Sequence, residues 1–152
     1  MAFLETAFEE LVPQMSPDSQ HLAYQSNEEG RWEVFVIGFP NAEGKQKVSL
    51  SGGIHPRWSP QGDELFYIEG DTLMAVSVET VPSLRLGDAQ PLFSGEPIGL
   101  QFNPANRPDF PNYNVGLDGQ RFVAVQVAPG ESGRATSIVV VQNWFEEFRP
   151  EN

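Results

Sequence analysis

Apolar positions in this chain come in short runs of β-branched and aromatic residues, each closed by Gly, Pro, Asp or Ser. The clearest are His21-Leu22-Ala23-Tyr24, Trp32-Glu33-Val34-Phe35-Val36-Ile37, Glu64-Leu65-Phe66-Tyr67-Ile68 and Leu73-Met74-Ala75-Val76-Ser77-Val78. Arg121-Phe122-Val123-Ala124-Val125 and Ser137-Ile138-Val139-Val140-Val141 follow. Helical spacing of apolar residues is nearly absent, so the runs read as strands. Only a few residues separate the members of each pair, which is hairpin spacing. The pattern predicts an all-β fold of antiparallel hairpins.

The hairpins repeat. Ser16-Pro17-Asp18-Ser19-Gln20-His21-Leu22-Ala23-Tyr24 aligns with Ser59-Pro60-Gln61-Gly62-Asp63-Glu64-Leu65-Phe66-Tyr67, and both align with Gly116-Leu117-Asp118-Gly119-Gln120-Arg121-Phe122-Val123-Ala124. The second copy starts 43 residues after the first, and the third 57 after the second. A unit of about 40–45 residues holding four short strands is a propeller blade. The surplus falls in residues 82–111, which carry six of the 13 prolines. Three four-stranded antiparallel blades are expected, over residues 8–51, 52–94 and 108–143, with a tail at 144–152. An inner strand precedes each repeated turn, and outer strands fit residues 45–50 and 89–93. The last blade lacks an outer strand of its own.

Composition narrows the partners. A chain of 152 residues fits one domain, and at that size about 70 % of the unfolded surface is buried without need of staples. Nine basic against 21 acidic residues give a net charge of −12. Such a surface repels phosphate backbones and anionic lipid, so neither nucleic acid nor membrane is an expected partner. The absence of cysteine removes disulfides, thiol catalysis and thiolate metal sites. No apolar run approaches the ~20 residues of a membrane span. Met1-Ala2-Phe3-Leu4-Glu5-Thr6 lacks the basic start and apolar stretch of a secretory signal, and the compartment stays open.

Taken together, these motifs resemble the TolB-like, WD-repeat-like propeller family. The resemblance runs through Phe3-Leu4-Glu5-Thr6, Ser16-Pro17-Asp18, Asn27-Glu28-Glu29-Gly30-Arg31-Trp32, Gly52-Gly53-Ile54-His55-Pro56-Arg57-Trp58-Ser59 and Val140-Val141-Gln142-Asn143-Trp144-Phe145-Glu146-Glu147. Ser19 stands where the family prefers Gly, and Gly116-Leu117 replaces the Ser-Pro pair. The resemblance implies the last three blades of a six-bladed ring, of the kind found at the C-terminus of larger bacterial proteins. It implies that the last blade borrows its outer strand from the start of the propeller, and residues 3–6 are expected to be such a strand. Members of the family are often periplasmic or extracytoplasmic.

Linear catalytic motifs are missing. Ser49-Leu50-Ser51-Gly52-Gly53 has Ser where a nucleophile elbow needs its first Gly. Gly38 and Gly44 are spaced wrongly for a phosphate loop, and Lys45 is followed by Gln46 rather than Ser or Thr. No zinc-type or calcium-type ligand spacing occurs. The expectation is therefore no enzyme, no metal and no cofactor. A non-catalytic module for protein or small-ligand recognition is the leading reading. The propeller portion of an oligopeptidase- or lactonase-like enzyme, or a self-associating remnant, is the alternative.

Binding candidates gather on one face. His55 and Arg57 lie two apart on an inner strand, which points them the same way, and each reads either as structural or as ligand-contacting. The insertion brings Phe102, Arg107, Phe110 and Tyr113 to the same end of the sheets. Aromatics beside Arg are the composition of interface hot spots, although the rings could equally form a small core beneath the loop. Three blades leave two flanks uncovered. A homodimer completing a six-bladed ring is expected, with residues 3–6 closing the partner's last blade.

Overall fold

The computed structural model describes residues 2–102, 107–127 and 136–142. They form three successive antiparallel sheets, with no α-helix among the described residues. The first sheet is β1 (Glu10–Met15), β2 (His21–Ser26), β3 (Glu33–Gly38) and β4 (Gln46–Lys47), paired in chain order. The second is β5 (Ile54–Trp58), β6 (Glu64–Glu69) and β7 (Thr72–Glu79), with both β8 (Arg85–Leu86) and β9 (Gln90–Ser94) on the outer side of β7. The third is β10 (Tyr113–Val115), β11 (Phe122–Val127) and β12 (Thr136–Val141). The architecture is that of propeller blades, as the hairpin pattern predicts.

Each repeated turn is built alike. The Ser16, Ser59 and Gly116 amides donate to the carbonyls of His21, Glu64 and Arg121 at 2.8, 2.9 and 2.7 Å. Within the first two turns the serine hydroxyl accepts from the strand amide that follows, His21 N at 2.9 Å and Glu64 N at 3.1 Å. Ser19, Gly62 and Gly119 occupy the left-handed position at φ of 59°, 77° and 69°. Ser19 does so with a side chain, at a cost of about 1 kcal/mol that glycine avoids. Its amide donates to Ser16 O at 2.8 Å, closing the turn.

Alternation of side chains across the strands gives every blade two apolar faces. The forward face of the first blade (Ala23, Val34, Val36) packs on the back face of the second (Leu65, Tyr67, Val76). The forward face of the second (Phe66, Ile68, Leu73, Ala75) packs on the back of the third (Phe122, Ala124, Val141). Phe66 and Phe122 meet edge to face, 5.1 Å apart at 86°. The back face of the first blade, Tyr24, Phe35 and Ile37, carries Phe3 and Leu4 on it.

This last contact corrects one expectation. Residues 3–6 form no strand. Phe3 turns its ring to Phe39 at 5.2 Å and, with Leu4, covers the first blade. Within the single chain the aromatic face next door is the apolar surface within reach, and it leaves these two side chains partly buried.

The passage from first to second blade is fixed by a buried carboxylate. Glu33 has no exposed surface. It accepts from Arg31 Nε at 2.6 Å, from Gly52 N at 3.1 Å and from the Ser49 hydroxyl, with Lys47 Nζ at 3.3 Å. Burial by itself pushes its carboxyl up, but the Ser49 hydroxyl, Arg31 and Lys47 outweigh that and hold it below the usual value. A carboxylate with a depressed folded-state pKa stabilises above its unfolded value and ceases to do so as pH falls through the folded one. Denaturant titrations of Glu33→Gln should therefore show a loss at neutral pH of about 1.5–3 kcal/mol. The gap to wild type should shrink as pH drops below the ordinary carboxylate range. Phe122→Ala, which empties the centre of the second interface, should cost about 3–5 kcal/mol by urea unfolding.

Candidate functional site

Strands β1, β5 and β10 each end their sheet on the inner side, and β5 neighbours both β1 and β10. Loops from all three blades meet at one end. Gly53 N donates to Trp32 O at 2.9 Å. Asp71 accepts from Glu96 N at 2.8 Å and Phe102 N at 3.3 Å, tying the long insertion to the second blade.

The inner strands carry a bulge that the sequence does not announce. Val12 and His55, 43 residues apart, both sit in the left-handed region at φ of 52° and 57°. Pairing slips between Leu11 and Gln14 in β1, and between Ile54 and Arg57 in β5. An extra residue in a strand breaks the alternation of faces. His55 and Arg57 therefore do not point the same way.

His55 is fully buried. Its Nε2 lies 3.2 Å from Arg107 O and 3.1 Å from Pro108 O, and so donates to the insertion. Its amide donates to Gln25 Oε1 at 2.7 Å, and its carbonyl accepts from Tyr113 Oη at 2.7 Å. Gln25 Nε2 donates to Pro108 O at 2.8 Å. The histidine is a clasp between β5, β2 and the insertion rather than a group facing a ligand. Burial lowers its pKa, against the raising effect of the two carbonyls, which keeps the ring neutral.

Arg57 is half-buried beside the clasp. Its guanidinium lies 6.0 Å from the Tyr113 ring centre, and Nη1 donates to Pro56 O at 3.0 Å. It forms no ion pair with a described residue. Burial pushes its pKa down while Tyr113 pulls it up, and an arginine stays charged through such changes. Arg107, by contrast, is held by Asp109 at 2.8 Å and lies 5.8 Å from the centre of the Phe110 ring.

The insertion aromatics divide. Phe102 and Tyr113 are buried at 2 % and 4 % exposure and meet edge to face at 5.9 Å, while Phe93 packs on Phe102. As surface contacts these two are corrected to core, because the asparagine that precedes Tyr113 anchors the loop: Asn112 Nδ2 donates to Gln101 O at 2.7 Å and Val125 O at 3.1 Å. Phe110 stays 62 % exposed. The solvent-facing group is thus Arg57, Arg107 and Phe110, with His55, Phe102 and Tyr113 behind it. At the opposite end, a cavity of about 140 Å³ lies between the first two turns, lined by Ser16, Asp18, Gln61 and Thr80, and it contains none of the predicted site residues. Among the described residues no three His, Cys, Asp or Glu side chains converge as for a metal ion.

No protein-family model matches the sequence, and no curated protein matches it. Solved structures do. Oligogalacturonate lyase from Vibrio parahaemolyticus aligns at TM-score 0.56 and 12 % identity, over 82 % of this chain and 32 % of that one. A Bacteroides uniformis protein whose name assigns it to the 6-phosphogluconolactonases aligns at 0.51 and 13 %, over 91 % and 42 %. TolB from Acinetobacter baumannii aligns at 0.42 and 15 %, over 92 % and 42 %. These are propeller-type proteins, and this chain spans about a third to two fifths of their length. At such identities the likeness to the first two establishes the fold alone.

It also corrects the exclusion of enzymes drawn from the sequence. Two of these neighbours are named as enzymes, so the fold does not stand apart from catalysis. The exclusion relied on linear motifs, whereas a propeller assembles its site from loops of separate blades, with no contiguous signature.

The clasp has a pH signature. A histidine whose folded pKa lies below its unfolded one stabilises fully above the unfolded value of about 6.5 and loses that contribution as pH falls. Wild-type unfolding midpoints should drop between pH 7.5 and 5.5 by more than those of His55→Gln, whose amide retains a donor and does not titrate. Equal drops would remove His55 from that role.

Proposed function

We propose that this chain is a recognition module of the TolB-like propeller kind that takes a carboxylate-bearing ligand, from a protein or a small molecule, at Arg57. The observation that carries the reading is a half-buried guanidinium with no acidic partner among the described residues, in a chain holding 21 acidic side chains. A desolvated charge is costly unless paired. Five N–H donors in a fixed fork suit a carboxylate bound through both oxygens. The aromatic face of Tyr113 orients the fork from behind. Phe110, with Arg107 over its ring, supplies exposed apolar area at the rim. The TolB-like assignment is supported by the repeated Ser-Pro turns and the Gly52-Gly53-Ile54-His55-Pro56-Arg57-Trp58-Ser59 segment.

Enzymes of this fold also begin by binding, and an acidic substrate would meet the same guanidinium. The name of the Vibrio neighbour suggests one acidic probe, a galacturonate oligomer; a peptide rich in Asp and Glu is the other. Isothermal titration should show one of them binding to wild type. Arg57→Gln should weaken that binding by about tenfold or more, the loss of charged hydrogen bonds worth about 1.5–3 kcal/mol. Its thermal midpoint should stay within a few degrees of wild type. Undiminished binding to Arg57→Gln would overturn the site.

A further inference from the structure

The two interfaces inside this chain obey one rule: the forward face of a blade seats on the back face of the next. Repeat spacing carries the forward face from Ala23 to Phe66 to Val123. In the third blade it consists of Val123 and Val125 on β11, paired across to Val140 and Ile138 on β12. These four are 39, 40, 54 and 78 % exposed, whereas their counterparts in the other two blades are buried.

We propose that this face binds a second copy of the chain, on the back face of the partner's first blade, and that two copies so joined close a six-bladed ring. Three observations single out that occupant. First, the surface it needs already exists: Tyr24, Phe35 and Ile37 form a back face of the type that Val123 and Val125 would meet by the rule. Second, β11 and β12 carry no charged residue from Phe122 to Val127 or from Thr136 to Val141. Two chains of net charge −12 repel each other overall, and a flank without charge is where that repulsion opposes a copy least. Third, the molecule treats its two flanks differently. Phe3 and Leu4 cover the first blade, and Lys45 lies 4.4 Å from the Phe35 ring centre. On the third blade the apolar side chains stand open among the described residues.

The pairing reads Phe3 and Leu4 as a stand-in for a blade. They occupy the seat in the single chain and leave it when a partner's third blade arrives. Under a two-fold axis two such contacts form at once, each copy's third blade meeting the other copy's first. A standard contact buries about 1,600 Å², which a whole blade face can supply and two side chains cannot. Six blades also lie inside the normal propeller range of about 4–8.

Sedimentation velocity and light scattering on the full chain test this. Wild type should show a concentration-dependent species of twice 16.9 kDa. Val125→Lys with Ile138→Lys should raise the dimer dissociation constant by about a hundredfold or more, with circular dichroism and melting unchanged because both positions are exposed. Phe3→Ser with Leu4→Ser should lower it by about tenfold, the plug having lost its grip. A wild type that stays monomeric together with a monomeric Phe3/Leu4 variant would overturn the proposal. So would a dimer indifferent to the lysines, a dimer weakened by loss of the plug, or assemblies larger than two copies.

Discussion

A blade is a thin sheet with apolar side chains on both faces, and a layer so thin cannot hide either face by itself. Everything else in this molecule follows from that constraint. Blade two is satisfied on both sides, by Ala23, Val34 and Val36 behind and by Phe122 and Ala124 in front. The outer blades each have one face left over, and the chain meets that need unequally. At one end it folds Phe3 and Leu4 over Tyr24, Phe35 and Ile37. At the other, the described residues supply no cover. Stability is thus concentrated at the middle of the row, where Phe66, Phe93 and Phe122 form a contiguous aromatic cluster.

Connections between blades have to cross from the outside of one sheet to the inside of the next, and buried polar groups hold them there. Glu33 gathers Arg31, Ser49, Gly52 and Lys47 where the chain leaves the first blade. Asp71 and Asn112 do the same for the insertion that leaves the second. His55 and Gln25 then draw that insertion back across the channel end, through the carbonyls of Arg107 and Pro108. Each of these hydrogen bonds would have to be given up for the loops to move, which makes the loops positioned structure rather than loose connections. The Arg57 site inherits its shape from them: Tyr113, spent on the His55 carbonyl, cannot turn away from the guanidinium.

Much of this was legible in the sequence. The period of the Ser-Pro turns and the alternation within each run sufficed for the all-β blades, because both depend on local backbone chemistry. Ser16 and Ser59 close their turns with their own hydroxyls, a short-range interaction that leaves a short-range trace. What could not be read is what depends on three-dimensional neighbours. The bulges at Val12 and His55 have no glycine to mark them, and a one-residue slip was enough to separate two side chains that simple alternation places together. A comparison of positions 12 and 55 at the repeat spacing was the available signal that they share a role. Phe102 and Tyr113 looked like surface anchors because loop aromatics are ambiguous until it is known what lies beneath them. The missing linear motifs misled for a related reason: they report on sites made from one segment, and a propeller makes its sites from several.

Charge settles the remaining question of why Arg57 stands without a carboxylate in so acidic a chain. Long-range attraction would favour pairing any cation with one of the 21 acids, and Arg31, Lys45, Lys47, Arg107 and Arg121 are all paired. All five lie in or beside the loops and on outer strand β4, where flexible acidic neighbours can reach them. Arg57 is on an innermost strand, where the register sets it opposite Phe66 of β6. An acid brought there from within the chain would have to be built into an inner strand, at the desolvation cost of a second buried ion. A carboxylate arriving from solution escapes that folding cost, since it is desolvated only on binding. The geometry that denies Arg57 an internal partner is therefore the same geometry that leaves it open to an external one.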